Sequence, residues 1–391
     1  MSKTRPFRID VSQAVLDRIA TRIDDYRWFD PPEGGGDEVW AHGASTPVLK
    51  DLIAHWQTDY EWRAAEADLN RHPHFKAEID GLDIHFLHIV GEAEGKRPLL
   101  ITHGWPGSFF EFWEAIEPLA YPTRHGGQAN DAFDLIIPSL PGYAFSGKPK
   151  TLLGSKSTAP LWDKLMRDVL GYDTYLARGG DWGAMVTSWI GLNHGTHNGK
   201  GGCKAIHLNM MGFRPTPATP QTEEEKAWLA QGAAAMQIEG SYFMQQATKP
   251  QTLSFALMDS PVGQAAWILE KFHSWSHLTD NDVFSVYSKD QLITNIMLYL
   301  VNDAFATSVR YYQSFLFEGG PNLPEGVRCE TPTGFADFPG ETFLFAPPKS
   351  WAERAYNLTR WNDMPRGGHF AAMEVPELFV DEVRAWARQV D

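Results

Sequence analysis

Gly179-Gly180-Asp181-Trp182-Gly183 sits between a short apolar run, Tyr175–Ala177, and a helical pattern, Trp182–Leu192. A nucleophile at a sharp strand-to-helix turn needs small residues on both sides, because the chain folds back closely and the nucleophile's backbone is strained. Gly179, Gly180 and Gly183 meet that need. Taken alone, the five residues fit a second reading equally well, a helix start with Asp181 as N-cap.

Working outward, His103-Gly104-Trp105-Pro106-Gly107 follows the apolar run Leu99–Thr102. A strand-to-loop junction of this kind supplies one backbone N–H to an oxyanion hole, and the residue after the nucleophile supplies the other. That makes Trp105 and Trp182 the expected donors, and it favours the catalytic reading of Asp181. A third signal is Arg366-Gly367-Gly368-His369-Phe370 near the C-terminus. In enzymes with such a turn the chain order is nucleophile, acid, histidine. His369 stands out among 14 histidines by its place in that order. The acid should precede it after a strand, and Asp337, Glu341 and Asp363 all qualify by spacing.

These motifs fall within alternating strand and helix patterns. Leu99–Thr102 leads into a helix at Ser108–Leu119, and Phe133–Ile137 into one at Ala159–Leu170. Tyr175–Ala177 leads into the Trp182 helix, and Ala205–Asn209 follows. Such alternation implies right-handed βαβ units and a largely parallel α/β sheet. Before it, Phe75–Val90 reads as a hairpin around Asp80-Gly81. Earlier still, helical stripes occupy Val11–Trp28 and Val48–Tyr60, separated by Pro31, Pro32 and Gly34–Gly36. From Gly212 to about Glu318 the sequence is helical and aromatic, without strand alternation. Strand-like sequence returns at Thr342–Ala346, and a helix at Pro376–Arg388 closes the chain. The expected organisation is a meander (1–75), a core in two parts (76–211 and 319–391), and a helical lid (212–318) over the strand ends.

Composition narrows the functional classes. Hydrophobic residues make up 43% and charged residues 21%, a globular balance. A formal net charge of −15 argues against nucleic-acid binding, which needs clustered Lys and Arg. Two cysteines, Cys203 and Cys329, are too few for a disulfide scaffold. No stretch approaches the roughly 18 apolar residues of a membrane span, and Met1–Asp10 lacks the apolar region of a signal peptide.

At this point the sequence resembles the microsomal-type epoxide hydrolases, a family of the α/β-hydrolase superfamily, across nearly its whole length. His103-Gly104-Trp105-Pro106-Gly107-Ser108, Pro141-Gly142-Tyr143 and Gly180-Asp181-Trp182-Gly183 match the family's core motifs. Asp259-Ser260-Pro261-Val262-Gly263, Ile268-Leu269-Glu270-Lys271-Phe272, Leu292-Ile293-Thr294-Asn295-Ile296 and Arg310-Tyr311-Tyr312 match its lid. Pro365 through Glu374 matches its histidine loop. The resemblance implies an α/β-hydrolase fold with a helical lid. It also implies conversion of an epoxide and water to a diol through a covalent ester on Asp181, hydrolysed by a water that His369 activates.

The family's acid lies in a Phe-Pro-x-acid motif, which Phe338-Pro339-Gly340-Glu341 matches. Glu341 is then the expected acid, with Asp337 second. Two lid tyrosines that donate protons map onto Tyr242 and Tyr312, with Tyr311 one position away from the latter. Neither metal nor organic cofactor is called for. The expected partner is an apolar or aromatic epoxide, in a cytoplasmic protein without the hydrophobic anchor of membrane-bound family members, monomeric or homo-oligomeric. The competing readings are a haloalkane dehalogenase, which would carry halide-binding groups in place of the tyrosines, and a catalytically silent binding protein with the same pocket.

Overall fold

The computed structural model describes residues 4–30, 39–92 and 97–390, so the Pro31–Gly36 break lies outside the described residues. Nine strands of the described residues form one sheet: β1 (Arg5–Phe7), β2 (His74–Ile79), β3 (Leu82–Ile89), β4 (Arg97–Thr102), β5 (Phe133–Pro138), β6 (Tyr175–Gly179), β7 (Cys203–Leu208), β8 (Cys329–Asp337) and β9 (Tyr356–Asp363). Their order is β1-β2-β3-β5-β4-β6-β7-β8-β9. The first three pairings are antiparallel and every pairing from β5 to β9 is parallel.

Sequence explains much of this placement. β5 and β6 are buried at every position, which is why they read as mostly apolar runs rather than alternating ones. The β2–β3 hairpin turns on Asp80 (φ 51°) and Gly81 (φ 79°), both left-handed as a two-residue turn of this twist requires. The expected helix at Ser108–Leu119 divides into a 3-10 turn, Phe109–Phe112, and a helix, Trp113–Ala120. The one expected at Ala159–Leu170 begins earlier, at Ser155, and its last turn, Leu165–Val169, widens to π geometry.

One expectation fails. Thr342–Ala346 is not a strand. The two strands that complete the parallel sheet are β8 and β9, on either side of it. The apolar side chains of the misread run have another task. Phe343 packs 5.9 Å from the Trp275 ring and 6.0 Å from the Tyr242 ring, beneath the lid. Glu341 accordingly stands in the loop after β8, not at the start of a strand.

Between β7 and β8 the chain forms the helices Glu223–Glu239, Ser241–Thr248, Pro250–Leu257, Pro261–Ser274, Lys289–Leu300 and Phe305–Phe317. No single described helix is long and apolar enough to cross a membrane. The N-terminal helices Gln13–Asp24 and Thr46–Thr58 lie against this layer. Arg18 meets Asp303 at 2.9 Å, and Lys289 meets Asp51 at 2.7 Å. These exposed pairs are worth little each. The larger contribution is apolar burial, with Ile19, Ile23, Leu52, Ile53 and Trp56 all in the core.

The chain passes from β4 to β5 on one side and then crosses back to β6 on the other. β4 and β6 are neighbours, with Thr102 opposite Gly179. Reversal of winding direction opens a crevice beyond the C-terminal ends of these two strands.

Candidate active site

The two strand ends at that crevice carry the oxyanion turn and the elbow. Asp181 has φ 47°, a left-handed conformation that costs a non-glycine residue energy and is held here by its surroundings. Gly180, not Asp181, occupies the N-cap position of the helix Asp181–His194. The packing leaves no room for methyl groups. A Cβ on Gly183 would collide with the Thr102 carbonyl at the end of β4, and one on Gly104 would collide with the Asp181 side chain itself.

Asp181 is buried, and its Oδ1 accepts a hydrogen bond from the Trp105 amide at 2.8 Å. Trp182 is the second residue of the helix, and amides of a first turn lack intrahelical acceptors. The turn bearing Trp105 is braced by His103, whose Nδ1 faces the Gly104 carbonyl at 2.9 Å while its Nε2 accepts from the Leu140 amide at 3.1 Å. Burial lowers the His103 pKa to about 4, so the ring stays neutral and can accept that bond.

On the opposite side of Asp181 stands His369, its Nε2 3.4 Å from Oδ2. Its Nδ1 is hydrogen-bonded to Oε2 of Glu341. The other oxygen of Glu341 accepts from the amides of Phe343 (3.2 Å) and Leu344 (2.9 Å), which fixes the carboxylate. Asp337 and Asp363 instead face each other at the ends of β8 and β9, where burial and their mutual repulsion raise the Asp337 pKa. Of the three carboxylates left open by spacing, Glu341 is the one bonded to the imidazole. Burial opposes a charge on His369, but the Glu341 and Asp181 carboxylates outweigh it and raise its pKa well above the usual imidazole range. The loop is pinned by the His369 amide, which donates to the Trp275 carbonyl at 2.9 Å. Glu374 adds to this by accepting from the amides of Phe370 and His277, each at 2.8 Å.

An aromatic wall closes the site from the lid. Tyr242 stacks on Trp105 (centroids 5.6 Å, 9°), and Tyr312 meets Trp182 edge-on (4.6 Å, 83°). Their two rings are 5.8 Å apart. Burial, and then nearby negative charge, push both hydroxyls well above the usual phenol range. Tyr311 differs, because its hydroxyl is already engaged with Thr158 Oγ1 at 2.8 Å. The structure thus gathers Asp181, His369, Glu341, Trp105, Trp182, Tyr242 and Tyr312 around one buried point. The arrangement offers a carboxylate held by an amide, an imidazole at hydrogen-bonding reach, and two protonated phenols. Sequence reasoning missed Trp275, Glu374 and His103 as supports, since each has at least one partner distant along the chain: His369, His277 and Leu140 respectively.

Comparison with known proteins identifies the family. A family model described as the epoxide hydrolase N terminus matches residues 4–112, and one for the alpha/beta hydrolase fold matches residues 97–237. The chain is similar to "Epoxide hydrolase 1" of Oryctolagus cuniculus, at 36% identity over 408 residues, covering 97% of this chain and 87% of that one. A relative from Stigmatella aurantiaca with an epoxide hydrolase designation is 44% identical over 391 residues, covering 98% and 85%. Among solved structures, that of Aspergillus niger epoxide hydrolase superposes with a TM-score of 0.83 at 30% identity, covering 99% of this chain and 96% of that chain. With the fold, the buried site and near full-length relatives in agreement, the chain belongs to the epoxide hydrolase family of α/β-hydrolases.

Proposed function

We propose that the enzyme converts an apolar or aromatic epoxide and water to a vicinal diol through a covalent ester on Asp181. The observation that carries this reading is the position of Asp181, between the Trp105 amide and His369 and beneath two buried tyrosines. A carboxylate oxygen attacks a ring carbon. The C–O ester bond forms, the ring C–O bond breaks, and its electron pair goes to the epoxide oxygen. Tyr242 and Tyr312 supply the proton that this oxygen takes up. Their raised pKa keeps them protonated at neutral pH, and the aromatic wall suits an apolar substrate.

Esterification removes the negative charge of Asp181, one of the two charges that raise the His369 pKa. His369 then gives up its proton more readily, the phenolate left by ring opening takes it and becomes a phenol again, and the neutral imidazole serves as base for water. The resulting hydroxide attacks Cγ of Asp181. The Trp105 and Trp182 amides receive the oxyanion, and Glu341 steadies the imidazolium. Collapse releases the diol oxygen, which takes the proton from His369. The new carboxylic acid passes its own proton back to His369, restoring the starting pair.

The test is a single turnover in ¹⁸O-water with enzyme in excess. The first diol should be unlabelled, and the peptide containing Asp181 should gain the label. Labelled diol with an unlabelled Asp181 peptide overturns the covalent route in favour of direct attack by water.

A further inference from the structure

The helix Lys289–Leu300 belongs to the lid by sequence, yet it is buried at every position from Leu292 to Leu300. Besides Thr294, two of those buried residues are polar at their tips, Asn295 at 1% exposure and Tyr299 at 2%. Buried polar groups need partners, and both find theirs in the oxyanion turn. The Asn295 Nδ2 donates to the Pro106 carbonyl at 2.8 Å, and its Oδ1 accepts from the Ser108 hydroxyl at 2.9 Å. The Tyr299 hydroxyl donates to the Gly107 carbonyl at 2.6 Å. Three consecutive residues, Pro106, Gly107 and Ser108, are therefore each held by this one helix.

The geometry is specific. A carbonyl can only accept, so the Pro106 oxygen must face the amide nitrogen of Asn295, and the amide oxygen is left for the Ser108 hydroxyl. Asn295 and Tyr299 are four residues apart and so lie on one face of the helix. The same helix is anchored at its other side by the N-terminal meander, where Tyr60 shares a hydrogen bond with Thr294 at 3.1 Å and His55 meets Asp290 at 2.6 Å. Trp105, whose amide holds Asp181, immediately precedes the clamped segment.

We propose that Asn295 and Tyr299 are positioning residues for the oxyanion turn, so that a lid helix sets where the Trp105 amide stands. The inference rests on the covalent reading above, in which that amide receives the oxyanion of ester hydrolysis. An amide displaced by a fraction of an ångström loses most where charge develops, in the second step, and less in ring opening, where the phenols carry the proton. The lid is then divided by function. Lys289–Leu300 is a fixed strut of the catalytic centre, while Tyr242 reaches the site from a separate helix.

The experiment compares wild type with Asn295→Ala and Tyr299→Phe, using styrene oxide or another epoxide that wild type turns over. Rapid quenching and mass spectrometry of the Asp181 peptide follow formation and loss of the ester. In the variants, ester hydrolysis should slow about tenfold or more, as for removal of an oxyanion donor. The ester should accumulate, and kcat should fall while kcat/KM stays within about threefold. Tyr299→Phe keeps the ring and its packing, so it carries the test if Asn295→Ala unfolds. Two results overturn the proposal: ester hydrolysis at the wild-type rate in folded Tyr299→Phe, or equal losses in kcat and kcat/KM that track the folded fraction. A wild-type enzyme that never forms the ester is a separate failure. It removes the covalent reading first and this inference with it.

Discussion

The Nε2 of His369 lies 3.4 Å from Oδ2 of Asp181, while its Nδ1 is bonded to Glu341, so one imidazole ring is flanked by two buried carboxylates. Its charge state in the resting enzyme therefore depends on the charge of Asp181. Chemistry at Asp181 changes the basicity of the group that must act next.

Asp181→Asn should abolish turnover, by about 10⁴-fold or more, as loss of a catalytic nucleophile does. The fold should remain intact. The same substitution removes one of the carboxylates that raise His369, so the imidazole should titrate at a lower pH than in wild type, as followed by NMR of its ring protons. Full activity in freshly purified variant, without deamidation back to Asp, would sink the assignment of the nucleophile.

His369→Gln should still open the epoxide and stop at the ester. Intact-protein mass spectrometry after mixing with substrate should show the enzyme heavier by one substrate molecule. An inactive variant that never gains this mass counts against His369 as a base for the second step alone.

Tyr242→Phe and Tyr312→Phe should each slow ester formation about 10- to 100-fold, less than the roughly 10²- to 10⁴-fold contribution of a sole general acid, because the second phenol remains. Each leaves one donor in place 5.8 Å, ring to ring, from the lost one, so the double variant should be nearly inactive. Wild-type rates of Asp181 alkylation in the double variant would reduce both rings to packing.

Stability should fall on mild acidification. His74 and His85 form a buried chain in which His74 Nε2 faces the Leu69 carbonyl (2.7 Å), His74 Nδ1 faces His85 Nε2 (2.8 Å), and His85 Nδ1 faces Ser139 Oγ (2.8 Å). Burial lowers the His74 pKa to about 4 and that of His85 well below its usual value. Between pH 6.5 and 4 the unfolded chain binds protons that the folded one refuses, so stability is present above this window and drains away through it. His74 alone accounts for about 3 kcal/mol at 1.36 kcal/mol per pKa unit. Thermal midpoints measured from pH 7 to 4 should drop steadily. A flat profile would mean that these rings are protonated, or exposed, in the folded protein.

The parts of the site that could be read in the sequence are those whose chemistry forces a local pattern. Gly179, Gly180 and Gly183 announce a turn with no room for side chains, and the glycines before His369 mark a loop. β5 and β6 were legible because burial on both faces yields short, mostly apolar runs, Leu135–Ile137 and Tyr175–Ala177. β8 and β9 were not, since Cys329–Asp337 contains Pro332 and Gly334, and β9 keeps partly exposed polar residues such as Asn357 and Arg360. Thr342–Ala346 misled for a related reason, because burying Phe343 under the lid produces the same hydrophobic signal as a strand. Asn295 and Tyr299 form a polar i, i+4 pair on a buried face of their helix. Their partners lie some 190 positions away in the chain, and no local pattern names them.

The contact between Gly183 and the Thr102 carbonyl, and that between Gly104 and Asp181, bear on how stereoselectivity could be re-engineered. Even alanine at either glycine would push the two strand ends apart, so neither site can take part in a mutagenesis library without risking the whole reaction. Diversity belongs instead at side chains whose size can change without moving backbone: Phe243 of the lid, which meets Tyr312, Phe343 beneath the lid, which meets Tyr242, and Phe315, which packs on Phe243. Chiral analysis of diols from such a library would map pocket shape onto handedness, with the nucleophile held fixed throughout.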